Sequence, residues 1–134
     1  MNYPHNDKIK AILNDKADFV FREGLNYLIP AWQRFADCYV ENEELIYEWQ
    51  NDLDTRNIID EILPVLAENE RIKIEEVLKP IDEKVMAKTF EINECIYSKE
   101  IEKKYKYNRH KNWYYYRLNQ KIFENEKGVY TEKV

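Results

Sequence analysis

The chain has 134 residues, a length that suits one domain and buries roughly two thirds of its unfolded surface without disulfides or metals. Charged residues make up 35% and apolar residues 44%, with only two Gly and four Pro, so turns are few and long helices are expected. Met1–His5 has no basic stretch leading into an apolar run, and no segment approaches 18 consecutive apolar residues. The sequence therefore predicts a cytoplasmic protein with no membrane span.

The first helical pattern runs from about Asp7 to Tyr27, with Ile9, Ile12 and Leu13 at helical spacing and Asn6 or Asp7 as its cap. Pro30 is then expected in the first turn of a second helix. Trp32, Phe35, Ala36, Tyr39 and Val40 form its amphipathic stripe, and Leu45, Ile46, Trp49 and Leu53 continue a helical pattern beyond an interruption at Asn42. A third unit starts near Asp52 or Asp54, with Ile58, Ile59, Ile62 and Leu63 as its face and Pro64 as its end. A long helix from Glu68 or Asn69 carries Ile72, Ile74, Val77, Leu78, Ile81, Val85, Met86 and Phe90, and the stripe extends to Ile92, Cys95 and Ile96. Pro80 inside it marks either a kink or the meeting of two helices. Asn108–Asn112 is a polar break, and Trp113–Leu118 is rich in strand formers. Lys127-Gly128 is a turn, and residues from about 125 to 134 are expected to be frayed. The fold class is all-α: a single-domain bundle, residues 1–134, of about four to five helices with a short irregular or extended aromatic C-terminal segment.

Charge is unevenly placed. Residues 37–76 hold thirteen acidic and three basic side chains, a net of −10, whereas residues 99–121 hold eight basic and two acidic ones, a net of +6. Asp37, Glu41, Glu44, Glu48 and Asp52 fall at steps of four, three, four and four. On a continuous helix they share one face, where each like-charge pair costs a few tenths of a kcal/mol. Such a row is either a solvated face or a docking surface for a basic partner, to which Asp60 and Glu61 would also belong.

Chemistry has few footholds. A di-metal carboxylate site needs Glu-x-x-His pairs, and neither His5 nor His110 has a Glu three residues before it. Two glycines cannot build a phosphate loop, and Ser98, the only serine, is in no nucleophile elbow. Cys38 and Cys95 form no CxxC and are expected to be reduced core residues. No enzyme activity and no cofactor are expected. The segment Lys103–Arg117 interleaves cations and aromatics, a combination that binds single-stranded nucleic acid. The overall charge of −5 argues against it, and the alternative is that the rings pack inward.

Three stretches carry a resemblance: Leu53-Asp54-Thr55-Arg56; Leu78-x-x-Ile81-Asp82-Glu83-Lys84-Val85 with Thr89 a turn later; and Trp113-Tyr114-Tyr115-Tyr116-Arg117. Together, from Pro30 to Arg117, the chain resembles small helical bacterial proteins regarded as immunity partners of polymorphic or contact-dependent toxins. It departs from that group at Val85, where an aromatic is expected, and at Leu118-Asn119, where a proline is. The resemblance implies a cognate toxin as partner and no catalysis. Asp54, Arg56, Asp82 and Arg117 have a structural reading as well: Asp82, between Ile81 and Val85, needs a cationic partner, and Arg56 or Arg117 can supply it. The chain is then a monomer or a homodimer that binds a toxin through its acidic face. The competing readings are a nucleic-acid-binding module over residues 103–117 and a homo-oligomeric structural protein.

Overall fold

The computed structural model describes residues 24–133, so the helical pattern of Asp7–Tyr27 and its cap lie outside the described residues except at the very end. Among the described residues the chain is mostly helical, with five α-helices and one two-stranded sheet. Helix α1 (Leu25–Arg34) opens at Gly24, whose φ of 53° is a conformation that favours glycine. The Gly24 carbonyl accepts from the N–H groups of Tyr27 and Leu28 at 3.1 and 3.2 Å, which sets the first turn well before Pro30. Pro30 thus sits inside α1 rather than in its first turn, and α1 forgoes one backbone hydrogen bond there.

From Phe35 to Tyr39 the helix widens into a π-turn. The N–H of Val40 reaches back five residues to Phe35 O, at 2.9 Å. The extra residue keeps Phe35, Ala36 and Val40 buried but swings Tyr39 out to 50% exposure, the one member of its stripe to leave the core. Residues 40–45 then leave the helix, so no continuous helix joins Asp37 to Asp52. Helix α2 (Ile46–Ile62) starts afresh and runs unbroken through Asp52 and Asp54, where the sequence suggested a separate unit. Trp49, Leu53, Arg56, Ile59 and Ile62 line a single buried face, which is why one helix suffices. A 3-10 turn, Leu63–Val65, ends it at Pro64.

Helix α3 (Glu68–Ala87) contains Pro80 without dividing into two helices. Leu78, Ile81 and Val85 are buried, while Ile72, Val77 and Met86 face outward. The stripe expected to extend to Ile96 does not: the chain turns into β1 (Phe90–Glu91), antiparallel to β2 (Arg117–Leu118) with Phe90 opposite Leu118. Distant partners decide this. Ile92 N–H donates to Tyr116 O at 2.9 Å and Ile96 N–H to Tyr115 O at 2.8 Å. Helix α4 (Lys99–Tyr105) is capped by Ser98 and closes on left-handed Lys106. Trp113–Tyr116 form a 3-10 turn, so only the last two residues of the expected extended segment are strand. Helix α5 (Gln120–Asn125) is capped by Asn119. Of the residues expected to be frayed, 131–133 run beside β1 instead: Asn93 N–H donates to Thr131 O and Lys133 N–H to Glu91 O.

Trp32, Phe35, Trp49, Leu53, Ile59, Leu78 and Val85 form the core between α1, α2 and α3. Trp32 stacks on Phe35, and Trp49 meets Phe35 edge-on, both at 5.2 Å between ring centres. Ile92, Tyr114, Tyr115, Leu118 and Ile122 join the same core from the C-terminal part. Cys95 is buried as expected, but Cys38 is exposed because it lies on the π-turn, and both are free thiols. No described helix is long and apolar enough to cross a membrane.

Candidate functional site

Arg56 and Asp82 meet. Arg56 Nε and Nη2 donate to the two carboxylate oxygens of Asp82 at 3.0 and 2.9 Å, a bidentate pair between α2 and α3. Arg56 Nη1 donates to Asp60, one turn along α2, at 2.6 Å. Trp32 Nε1 donates to Asp82 at 2.9 Å, so α1 is tied into the cluster. Burial opposes the guanidinium charge, but the carboxylates of Asp82 and Asp60 outweigh it and hold Arg56 more firmly protonated than usual. Asp60, placed by the sequence on the docking surface, therefore turns inward.

Asp54 and Arg117 stand apart from this pair. Asp54 accepts from Tyr97 at 2.8 Å and from Tyr115 at 2.6 Å. Tyr114 donates to Asp60, and Tyr116 to Glu102 of α4. A 3-10 turn has three residues per turn, so Tyr114, Tyr115 and Tyr116 splay in three directions and each phenol reaches a different carboxylate. Burial first, then these carboxylates, raise all three phenols above their usual range. The interleaved basic and aromatic segment is thereby sorted. Its tyrosines 114–116 face the interior, while Lys103, Lys104, Lys106, His110 and Lys111 are exposed.

The acidic row divides. Asp37, on the π-turn, is bound by Lys84 of α3 and by Gln33, which hold its carboxyl below the ordinary range. Glu41, Glu44 and Glu48 are exposed, and only Glu41 has a cation near it, Lys88 at 3.8 Å. Asp52 is half-buried and Glu61 exposed. Glu61 is at the opposite end of α2, away from an elbow between π-turn and α2 with a hollow of about 350 Å³, lined by Tyr39, Glu43, Glu48, Asn51 and Asp52. Tyr47 is 58% exposed and Leu45 46% exposed in the same stretch. The elbow is held from behind. Asn119 Nδ2 donates to Val40 O at 2.8 Å and Glu43 O at 2.9 Å, and Asn125 to Glu44 O at 3.0 Å.

Glu43 was not part of the sequence-derived row, because it is out of step with it. Its Oε1 is buried with no hydrogen-bond partner. Burial, then the neighbouring Asp52 and Glu48 carboxylates, push its pKa up to about 9, so Glu43 is neutral at pH 7. Only its position in a tight acidic link between two helices signals this in the sequence. Tyr39 and Leu45 read as core from their spacing, and the π-turn and the link put them outside.

Arg117 serves the other end of the molecule. Its Nε donates to Thr89 Oγ1 at 2.8 Å and its Nη2 to Thr89 O at 3.0 Å, which clamps the exit of α3. Among the described residues, no group of three or more His, Cys, Asp and Glu side chains is arranged to hold a metal ion. Comparison with known protein families, with characterised proteins and with solved structures finds no match.

Proposed function

We propose that this chain is a non-enzymatic protein-binding module, an immunity protein that docks a basic toxin domain on the acidic elbow. The observation that supports this reading is the composition of the elbow surface. Glu41, Glu44 and Glu48 are exposed beside Tyr39, Leu45 and Tyr47. Exposed aromatics among like charges suit an interface, where rings supply contact area and the carboxylates steer a basic partner and fix its register. The backbone there is already fixed by Asn119 and Asn125, so little ordering is lost on binding.

The experiment is association kinetics with candidate basic toxin domains, at low and high salt. Glu44→Lys with Glu48→Lys should slow association about tenfold or more at low salt and much less at high salt. Unchanged association at low salt removes the elbow as the docking face. The homo-oligomer alternative is read from the same samples by sizing across salt concentrations.

A further inference from the structure

Three cations converge on one carboxylate beside the two-stranded sheet. Glu91 of β1 lies 3.2 Å from Lys133 Nζ, 3.3 Å from Arg109 Nη1 and 3.9 Å from Arg117 Nη1. One carboxylate against three cations leaves two positive charges in excess. They border a cavity of about 460 Å³, with Trp113 and Met86 as apolar wall and His110 at its rim. That volume is in the range of small-molecule sites, roughly 300–1,000 Å³.

The two arginines are built in rather than loosely attracted, while Lys133 reaches the site from the surface. Arg109 donates to Ile92 O at 2.8 Å and Asn93 O at 3.0 Å, and its guanidinium lies 4.7 Å over the Tyr116 ring. Arg117 is fixed by Thr89 through Nε and Nη2, which leaves Nη1 facing only Glu91, beyond hydrogen-bond distance. Burial weakens the Arg117 charge and Glu91 alone opposes that loss. Donors thus converge from three separate stretches of chain, at 109, 117 and 133, with capacity to spare.

We propose that this cavity is a binding site for a phosphomonoester, gripped by Arg117, Lys133 and Arg109, with Trp113 and Met86 against its organic part. A phosphate dianion matches the excess of two charges and has oxygens enough for all three donors. The site is made from different residues than the acidic elbow and does not depend on the toxin-binding reading.

The test uses the full chain at low salt, titrated with AMP, with inorganic phosphate and with adenosine, and read by tryptophan fluorescence and calorimetry. Trp32 and Trp49 are fully buried, so a change in emission reports chiefly on Trp113. AMP should bind about tenfold more tightly than inorganic phosphate, and adenosine should give no response. Lys133→Met with His110→Ala, both at exposed positions, should weaken AMP at least fivefold, whereas Lys99→Met should not. No heat or emission change at about 10 mM AMP overturns the proposal, since a built site binds more tightly than that. So does an unaltered response in the double variant, or equal competition by any simple anion.

Discussion

Asp82→Ala probes the cluster that joins α1, α2 and α3. In the intact chain Asp82 Oδ1 accepts from Trp32 and Arg56, and Oδ2 accepts from Arg56 alone. The substitution leaves Arg56 with Asp60 as its only carboxylate and orphans the N–H of a fully buried indole. Breaking a buried ion pair by removing one partner costs about 3–5 kcal/mol, and an orphaned buried donor about 1–3 kcal/mol. Two features reduce the total: Asp60 remains 2.6 Å from the guanidinium, and the Asp82 side chain is 15% exposed, so water can reach the gap. The expected loss is about 3–4 kcal/mol, a fall in Tm of roughly 10–15 °C for a chain of this size. Urea unfolding at pH 7 should show a lower midpoint with an unchanged slope. A double-mutant cycle of Asp82→Leu with Arg56→Met isolates the pair, and the double variant should recover part of the loss because both charges leave together. A coupling below about 0.5 kcal/mol would refute the reasoning, since neighbours in one network couple by more than that.

Glu43→Gln tests the neutral carboxyl at the elbow. With a folded pKa of about 9 against an ordinary 4.5, the folded chain holds one more proton than the unfolded chain between those values, so its stability falls as pH rises from about 5 to 9. Glutamine cannot ionise, so the variant should gain steadily on the native chain across that window; a difference that is flat with pH sinks the assignment. Asn119→Ala removes the partner of two backbone carbonyls and the cap on Ile122 N–H, and should cost about 2–3 kcal/mol with faster amide exchange at Ile122. Tyr114→Phe, which strips a buried phenol from Asp60 and Asn57, should cost about 1–2 kcal/mol in urea unfolding, and Tyr116→Phe, whose phenol has Glu102 as its one partner in a part-buried contact, visibly less.

Legibility followed the range of the interaction. Asp82 announces its need for a cation because a charge between Ile81 and Val85 is a local anomaly, and the Asp54–Arg56 stretch one helix earlier offers the partner. The start of α3 at Glu68 and its passage to Val85 are likewise local, carried by 3.6-residue spacing. Periodicity failed where a distant segment decides. Phe90 to Ile96 has the apolar spacing of a helix, yet the carbonyls of Tyr115 and Tyr116 draw its N–H groups into an extended path. The π-turn at Phe35–Tyr39 has no signature in residue type, and one inserted residue was enough to turn Tyr39 from core to surface. The basic cleft was invisible for the same reason, as its four charges are scattered from Glu91 to Lys133.

The net of −10 over residues 37–76 overstates the field that a partner would meet. Asp37 pairs with Lys84, a cation outside that span, and Glu43 is neutral, while Asp60 and Asp54 point inward to Arg56 and to buried tyrosines rather than to a partner. Of the remainder, Glu68 and Glu70 occupy the first turn of α3, where negative charge offsets the helix dipole, and Glu75 lies 3.4 Å from Arg71. These have structural reasons to be acidic. Glu48 shares the dipole reason, since it lies in the first turn of α2, whereas Glu44 lies outside any helix; no cation pairs with either among the described residues. The two pairs should therefore respond differently to charge reversal. Glu68→Lys with Glu70→Lys should lower stability by about 1 kcal/mol through the helix dipole and leave partner association nearly unchanged. Glu44→Lys with Glu48→Lys should slow association and leave stability nearly unchanged, since relief of repulsion with Glu41 and Asp52 offsets the loss of Glu48 from the first turn of α2. If both pairs slow association alike, a diffuse charge rather than the elbow steers the partner. If neither does, the acidic surface is solvated and nothing more.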